Sequence, residues 1–212
     1  MIDLNGYSVL EKRIPEGLFN VLKAECLQCE QKNEKRFTAL SGVDSATHYT
    51  LENTREHLNK YLEGVFDEYF NTFPNYLNTF QAFTNAVPFH IGKPWINIQR
   101  KNQFLPMHHH DGVLSYSIWI KIPYNLDEEL KGSSFSSLFE FNYINNLGQL
   151  TQHKLNVDKS WEGKMIVFPS IINHLVYPFR TVDDNRISVS GNLLFDTRKL
   201  KDVEYLPELS GS

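Results

Sequence analysis

FLPMHHHDGVLSYSIWIKI, residues 104–122, is the stretch on which the reading of this chain turns. It sets three imidazoles and a carboxylate in four consecutive positions, His108 to Asp111, and then runs into a strand-like segment, VLSYSIWIKI. Side chains two apart on an extended strand point the same way, so a histidine and its i+2 partner can grip one metal ion from a strand end. Imidazole and carboxylate together suit iron, zinc or manganese. The run allows two registers. His109 with Asp111 makes a histidine–carboxylate pair, which coordination chemistry alone favours because the carboxylate offsets the charge of the ion. His108 with His110 makes an all-imidazole pair.

A third ligand has to come from elsewhere, and His174 is well placed, after the apolar strand and proline turn of GKMIVFPSIIN. Three protein ligands on one face of an octahedral ion leave two positions for a bidentate 2-oxo acid and one for dioxygen. The remote carboxylate of such an acid needs a cation, and Arg186 can offer a planar two-donor fork. Ser188 follows two residues on, along the same strand face. His-x-His or His-x-Asp, a distant His, then Arg-x-Ser is the order that an oxygenase using iron and 2-oxoglutarate requires. On its own, a run of three histidines reads as a surface loop with incidental metal affinity. His174 and Arg186, in that order behind it, reverse the balance.

From Trp95 onward the hydrophobic period is two. PWINIQR, VLSYSIWIKI, SLFEFNYI, QLTQHKLNV, GKMIVF, HLVYPF and RISVSGNLLF read as strands, joined at Gly112, Gly132, Gly148 and Gly163. In the last of them Arg186, Ser188, Ser190 and Asn192 alternate with Ile187, Val189, Gly191 and Leu193, as in a strand with a wet face and a core face. Trp95, Asn97 and Gln99 share a face just before the histidine run, so Asn97 is a candidate cosubstrate contact as well as a candidate satisfied core amide. Ser115 and Ser117 follow the run on a similar face. YSVLEKRI opens the chain as a strand, and a helix after Pro15 carries Leu18, Leu22 and Cys26 on one stripe. KNEKRF reads as a charged connection. Leu58, Leu62, Val65, Phe66 and Tyr69 repeat at three and four and predict an amphipathic helix from Thr50 to about Asn71, with a shorter one after Pro74. His48 and His57 fall in polar surroundings and read as solvated, as do His153 and Arg180. Helices first and strands after give an α+β fold, mainly β, in a single domain over 1–212. Its parts are helical support over 1–90, a β core over 91–196 and a surface tail over 197–212.

The chain has 212 residues, 41% hydrophobic and 22% charged, ordinary for one globular domain. A net charge of −4 shows no basic footprint, so duplex nucleic acid is not an expected partner. No apolar run is long enough to span a membrane, and MIDLNGYSVLEKR has no signal-peptide core. Cys26 and Cys29 lack the second pair that a structural zinc needs and read as neighbours on a helix face. Two cysteines without an export signal point to the cytoplasm.

The segment WINIQRKNQFLPMHHHDGVLSYSIWIKIPY resembles the 2-oxoglutarate/Fe(II) oxygenases common in tailed phages. The likeness is carried by Trp95, Asn97, Phe104, Pro106, His108, His110, Gly112, Ser115 and Pro123. Gly163, Pro169, His174, Pro178, Arg186, Ser188 and Asn192 carry it through the second half, so it spans residues 90–196. In that family's pattern the repeated positions fall on His108 and His110, while His109 and Asp111 stand where it varies. The resemblance therefore implies a metal site of His108, His110 and His174, with His109 and Asp111 as the alternative register. In the preferred register Asp111 remains available to accept a hydrogen bond from a ligand imidazole. It implies a double-stranded β-helix, or jelly roll, buttressed by the N-terminal helices. Fe(II), 2-oxoglutarate and dioxygen are the implied cofactor and cosubstrates, with Arg186, Ser188 and Asn97 on the cosubstrate. The implied reaction is hydroxylation of a protein side chain or small metabolite, in the host cytoplasm if the chain is phage-encoded. Two other readings compete. A cupin-type metal enzyme shares HxH and a distant histidine on a jelly roll but needs no arginine one strand later. A non-catalytic phage protein could keep the fold without turnover.

Overall fold

The protein is described here by a computed structural model covering residues 2–4, 7–32, 47–76 and 89–196. The shorter helix after Pro74 beyond Tyr76, most of the KNEKRF connection and the tail lie outside the described residues. Twelve strands and three α-helices make up the described part. A short β1 (Ile2–Leu4) and β2 (Tyr7–Arg13) lead to α1 (Glu16–Lys32), β3 (Thr47–Thr50) and α2 (Arg55–Thr72). Then come β4 (Phe89–Ile91), β5 (Trp95–Gln99), β6 (Leu105–His108) and β7 (Leu114–Lys121). A helix α3 (Leu126–Gly132) precedes β8 (Phe139–Ile144), β9 (Leu150–Leu155), β10 (Lys164–Pro169), β11 (Asn173–Val176) and β12 (Arg186–Phe195).

The strands form two antiparallel sheets. The larger runs β1-β2-β10-β7-β12-β5-β3, with β4 paired to the end of β12, and the smaller runs β6-β11-β8-β9. This is the double-stranded β-helix that the resemblance implies, with α1 and α2 on the outer face of the large sheet.

Strand β7 shows how the two sides are organised. Seven of its eight residues are buried, which alternation would forbid for a sheet with a wet face. The reason is that both its faces are covered. Tyr116, Ile118 and Ile120 join the core under the helices, with Leu22, Cys26, Leu58, Leu62, Val65, Phe66 and Tyr69. Trp119 joins the core between the sheets, with Phe139, Phe141, Ile166, Phe168 and Phe179. The five apolar positions that predict the second helix are the five buried residues of α2. That helix begins at Arg55 rather than Thr50, because Leu51 to Thr54 wrap around the carboxylate of Glu25. Glu25 accepts the backbone N–H groups of Glu52 at 2.8 Å, Asn53 at 2.9 Å and Thr54 at 2.8 Å, and the Thr54 hydroxyl at 2.7 Å. Burial pushes its carboxyl pKa up, but the bonds from Thr54, Asn53 and Glu52 outweigh this and leave it below the ordinary value.

Glycine is required at one point of the large sheet. Gly191 on β12 stands directly opposite Tyr116 on β7, and a Cβ there would come within 2.5 Å of the phenol oxygen. The bare backbone is what lets the ring of Tyr116 lie across it and reach Phe66 of α2, with ring centroids 6.2 Å apart.

Candidate metal centre and active-site cavity

Strand β6 ends on His108, and β11 carries His174 as its direct antiparallel partner. Beyond the strand end, the backbone N–H of His110 donates to Ser170 at 2.9 Å, which ties the histidine run to the turn before β11. His108, His110 and His174 thus come together, each offering a nitrogen within 4.8 Å of the others. His109 and Asp111 are exposed; His109 borders the cavity, and Asp111 is not part of the cluster.

The backbone also sets which nitrogen two of the rings can present. The Nδ1 of His108 lies 2.7 Å from the carbonyl of Pro106, and the Nδ1 of His174 lies 3.1 Å from that of Ile172. A carbonyl can only accept, so Nδ1 carries the proton and the Nε2 lone pair is left for a metal. Ring packing fixes the orientation: Phe139 stacks on His174 with planes 9° apart, and Phe168 meets it edge-on at 5.1 Å. Burial, helped by the neighbouring imidazoles, lowers all three pKa values. His110 falls to about 4 and His174 well below its usual value, while the carbonyl bond at His108 opposes part of the lowering there. Three neutral imidazoles at neutral pH are what a divalent ion needs, because ligands must be free of protons.

The cluster opens into a cavity of about 380 Å³ between the sheets. Its floor is the polar stripe that the alternation of β5, β7 and β12 predicts. Asn97 Nδ2 donates to the hydroxyls of Ser188 and Ser190, both at 3.1 Å, and Asn97 Oδ1 accepts from the Trp95 indole at 3.1 Å. Ser190 donates to Ser117 at 3.2 Å. Arg186, 4% exposed, also lines the cavity and lies against the adjoining rings of Tyr124 and Phe179. Ser115 is turned away from this group and bonds Asn192 and Ser170.

Sequence reasoning misses one cavity residue. His48, read as solvated, is 6% exposed and lines the cavity, and burial with the nearby His108 lowers its pKa to about 4. It reaches that place because β3 pairs with β5 in a register that sets His48 opposite Asn97. His153 is half-buried on β9 rather than exposed, and it lies outside the metal cluster.

Residues 93–192 match the family model described as "Putative 2OG-Fe(II) oxygenase". Over those residues the chain is similar to the 2-oxoglutarate/Fe(II) oxygenases. Fe(II) is accordingly its metal, and 2-oxoglutarate and dioxygen are its cosubstrates. No curated protein matches the oxygenase by sequence. Among solved structures it is similar to a prolyl-4-hydroxylase from Pseudomonas putida, at 15% identity and a TM-score of 0.58 over 91% of this chain and 94% of that one. A prolyl hydroxylase from Trichoplax adhaerens, in complex with a hypoxia inducible factor peptide fragment, gives 10% identity and 0.58 over 95% and 89%. HygX from Streptomyces hygroscopicus, with nickel, 2-oxoglutarate and hygromycin B bound, gives 9% and 0.55 over 91% and 84%. At such identities the likeness shows the shared fold. Among the described residues, no helix of the oxygenase is long and apolar enough to cross a membrane.

Proposed function

We propose that the oxygenase hydroxylates a protein side chain or a small metabolite, with His108, His110 and His174 holding the iron. The observation that carries this reading is the convergence of three imidazoles, His174 buried and His108 and His110 half-buried, two with Nδ1 engaged by backbone carbonyls, on the wall of one cavity that also contains Arg186. When bound, the iron and 2-oxoglutarate supply an oxidant through oxidative decarboxylation of the 2-oxo acid. The chain's own part is positional. His108 and His174 keep their Nε2 atoms proton-free, and His110 brings a third ring nitrogen to the same cluster. Phe139, Phe141 and Phe168 exclude water behind His174. Arg186 holds the distal carboxylate of the cosubstrate, with Ser188 and Asn97 on the same polar stripe completing its contacts.

A buried arginine lining the cavity supports this reading over a cupin-type metal enzyme, which has no use for one. The fold neighbours include proteins crystallised with a peptide fragment and with a small antibiotic, in keeping with a protein or metabolite substrate. The net charge of −4 favours such a partner over duplex nucleic acid. The resemblance to tailed-phage oxygenases favours a phage-encoded enzyme working in the host cytoplasm. Single alanine changes at His108, His109, His110, Asp111 and His174, each followed by anaerobic iron titration, test the ligand set. Loss of binding at the three cavity histidines is expected. Loss at His109 and Asp111 with binding retained in His108→Ala would overturn it.

A further inference from the structure

Arg186 has five N–H groups, and in this structure every one is engaged. Nε and Nη2 both donate to Oε1 of Gln99, at 3.2 and 2.6 Å. Nη1 donates to the Tyr124 hydroxyl at 3.1 Å and the Ser137 carbonyl at 2.8 Å, and Nη2 also donates to the Tyr177 carbonyl at 2.8 Å. All of these acceptors are neutral. Among the described residues no carboxylate forms an ion pair with Arg186, although it is 4% exposed. The site therefore holds a buried cation that lacks a counter-ion and has no donor to spare for one. An anion can dock only by displacing an acceptor.

The acceptors differ in how readily they move. The Ser137 and Tyr177 carbonyls are pinned, because Ser137 N donates to Pro178 at 2.9 Å and Tyr177 N donates to Leu138 at 2.9 Å. Tyr124 and Gln99 are equally buried, at 3% exposed, but Tyr124 has a rigid ring that packs against Phe179 at 5.4 Å. Gln99 is different. It reaches Arg186 through a flexible side chain from the directly paired position on β5, and its amide nitrogen is held by the Gln103 carbonyl. Its oxygen also occupies the Nε–Nη2 edge of the guanidinium, which matches a carboxylate bidentately.

We propose that Gln99 is a latch on the cosubstrate site. Its amide occupies the edge of Arg186 that receives the distal carboxylate of 2-oxoglutarate, and it swings aside when that carboxylate binds. This rests on the reading that Arg186 takes the carboxylate. A carboxylate is a stronger acceptor for a guanidinium than a neutral amide, so the exchange is downhill, but the affinity is reduced by the fraction of molecules with the latch closed. Gln99 thereby sets the cosubstrate concentration at which the enzyme loads, and it acts as a positioning residue rather than a catalytic one.

The test is calorimetric titration of 2-oxoglutarate into the Mn(II)-loaded protein. Gln99→Ala, and Gln99→Met as the variant that preserves volume, should each bind roughly 3- to 30-fold more tightly, the span of one or two modest hydrogen bonds removed from the competing state. Gln99→Glu should bind at least about tenfold more weakly, because a tethered carboxylate competes for the same edge. The affinity for 2-oxobutyrate, which lacks the distal carboxylate, should not change in Gln99→Ala or Gln99→Met. Unchanged or weaker 2-oxoglutarate binding in both Gln99→Ala and Gln99→Met overturns the latch, as does equal tightening for 2-oxobutyrate. Arg186→Ala separates the two levels of the argument. If it leaves 2-oxoglutarate affinity intact, the assignment of Arg186 itself fails. If it weakens binding while the Gln99 variants do not tighten it, the latch alone fails.

Discussion

Lowering the pH should unfold the metal-free protein through its cavity histidines before its carboxylates titrate. His48 and His110 have folded pKa values of about 4 against 6.5 for the free side chain. Between those limits the unfolded chain binds more protons than the folded one, so stability falls as the pH falls; above 6.5 both states are neutral and neither histidine contributes. Each group costs about 1.4 kcal/mol per pH unit inside the window. From pH 6.5 to 4.5 the two together cost about 4 kcal/mol, a large part of the roughly 5–15 kcal/mol that holds a domain folded. His174 and His108 are shifted down too and act in the same direction. Glu25, Glu129 and Glu162 have pKa values below the ordinary 4.5, so their losses come mainly at lower pH. Urea unfolding in the presence of a chelator, at half-unit steps of pH, measures the slope. His48→Gln removes one titrating group and should reduce the loss by about 2 kcal/mol over the same interval. A wild-type stability that stays flat from pH 6.5 to 4.5, or a His48→Gln variant that loses as much as wild type, would refute this reasoning.

Arg186→Ala should weaken 2-oxoglutarate binding by roughly 30- to 1,000-fold, the value of a lost charge-assisted bidentate contact, and should leave iron affinity unchanged because the arginine touches no metal ligand. Titration of each ligand separately checks both halves. Gly191→Ala should destabilise the fold by about 1–3 kcal/mol by forcing a methyl group into the ring of Tyr116. Tyr116→Phe should be neutral or stabilising, since its buried hydroxyl has no hydrogen-bond partner among the described residues. Urea midpoints of the two variants decide this pair.

The strands and the helices were legible wherever the pattern was long enough to repeat. Eight of the ten residues of β12, Arg186 to Leu193, alternate polar and apolar, and three of the four polar ones, Arg186, Ser188 and Ser190, line the cavity. Five apolar positions of α2 repeat over three turns, and they are the ones buried. Strand β3 has four residues, too few for a period to declare itself, and its histidine is buried only through pairing with β5. His48 was therefore hidden. The early start assigned to α2 has a comparable cause, because Glu25, about thirty residues upstream, takes the N–H groups of the segment before the helix. Local sequence carries no trace of such a partner. The histidine run was ambiguous because strand parity permits both registers. What gathers His108 and His110 beside His174 is the long-range pairing of β6 with β11 and the bond from His110 to Ser170. The engagement of Arg186 by Gln99 is likewise a cross-strand fact, visible only once β5 and β12 are in register.

The most direct test of the account is the anaerobic addition of Fe(II) and then 2-oxoglutarate to the purified protein, followed by visible absorption. The account predicts a weak charge-transfer band that requires both additions, as expected for a 2-oxo acid chelating ferrous iron. It should disappear in His174→Ala and survive in His109→Ala. A protein that binds Fe(II) yet gives no band at saturating 2-oxoglutarate, or one whose band persists in His174→Ala, would contradict it.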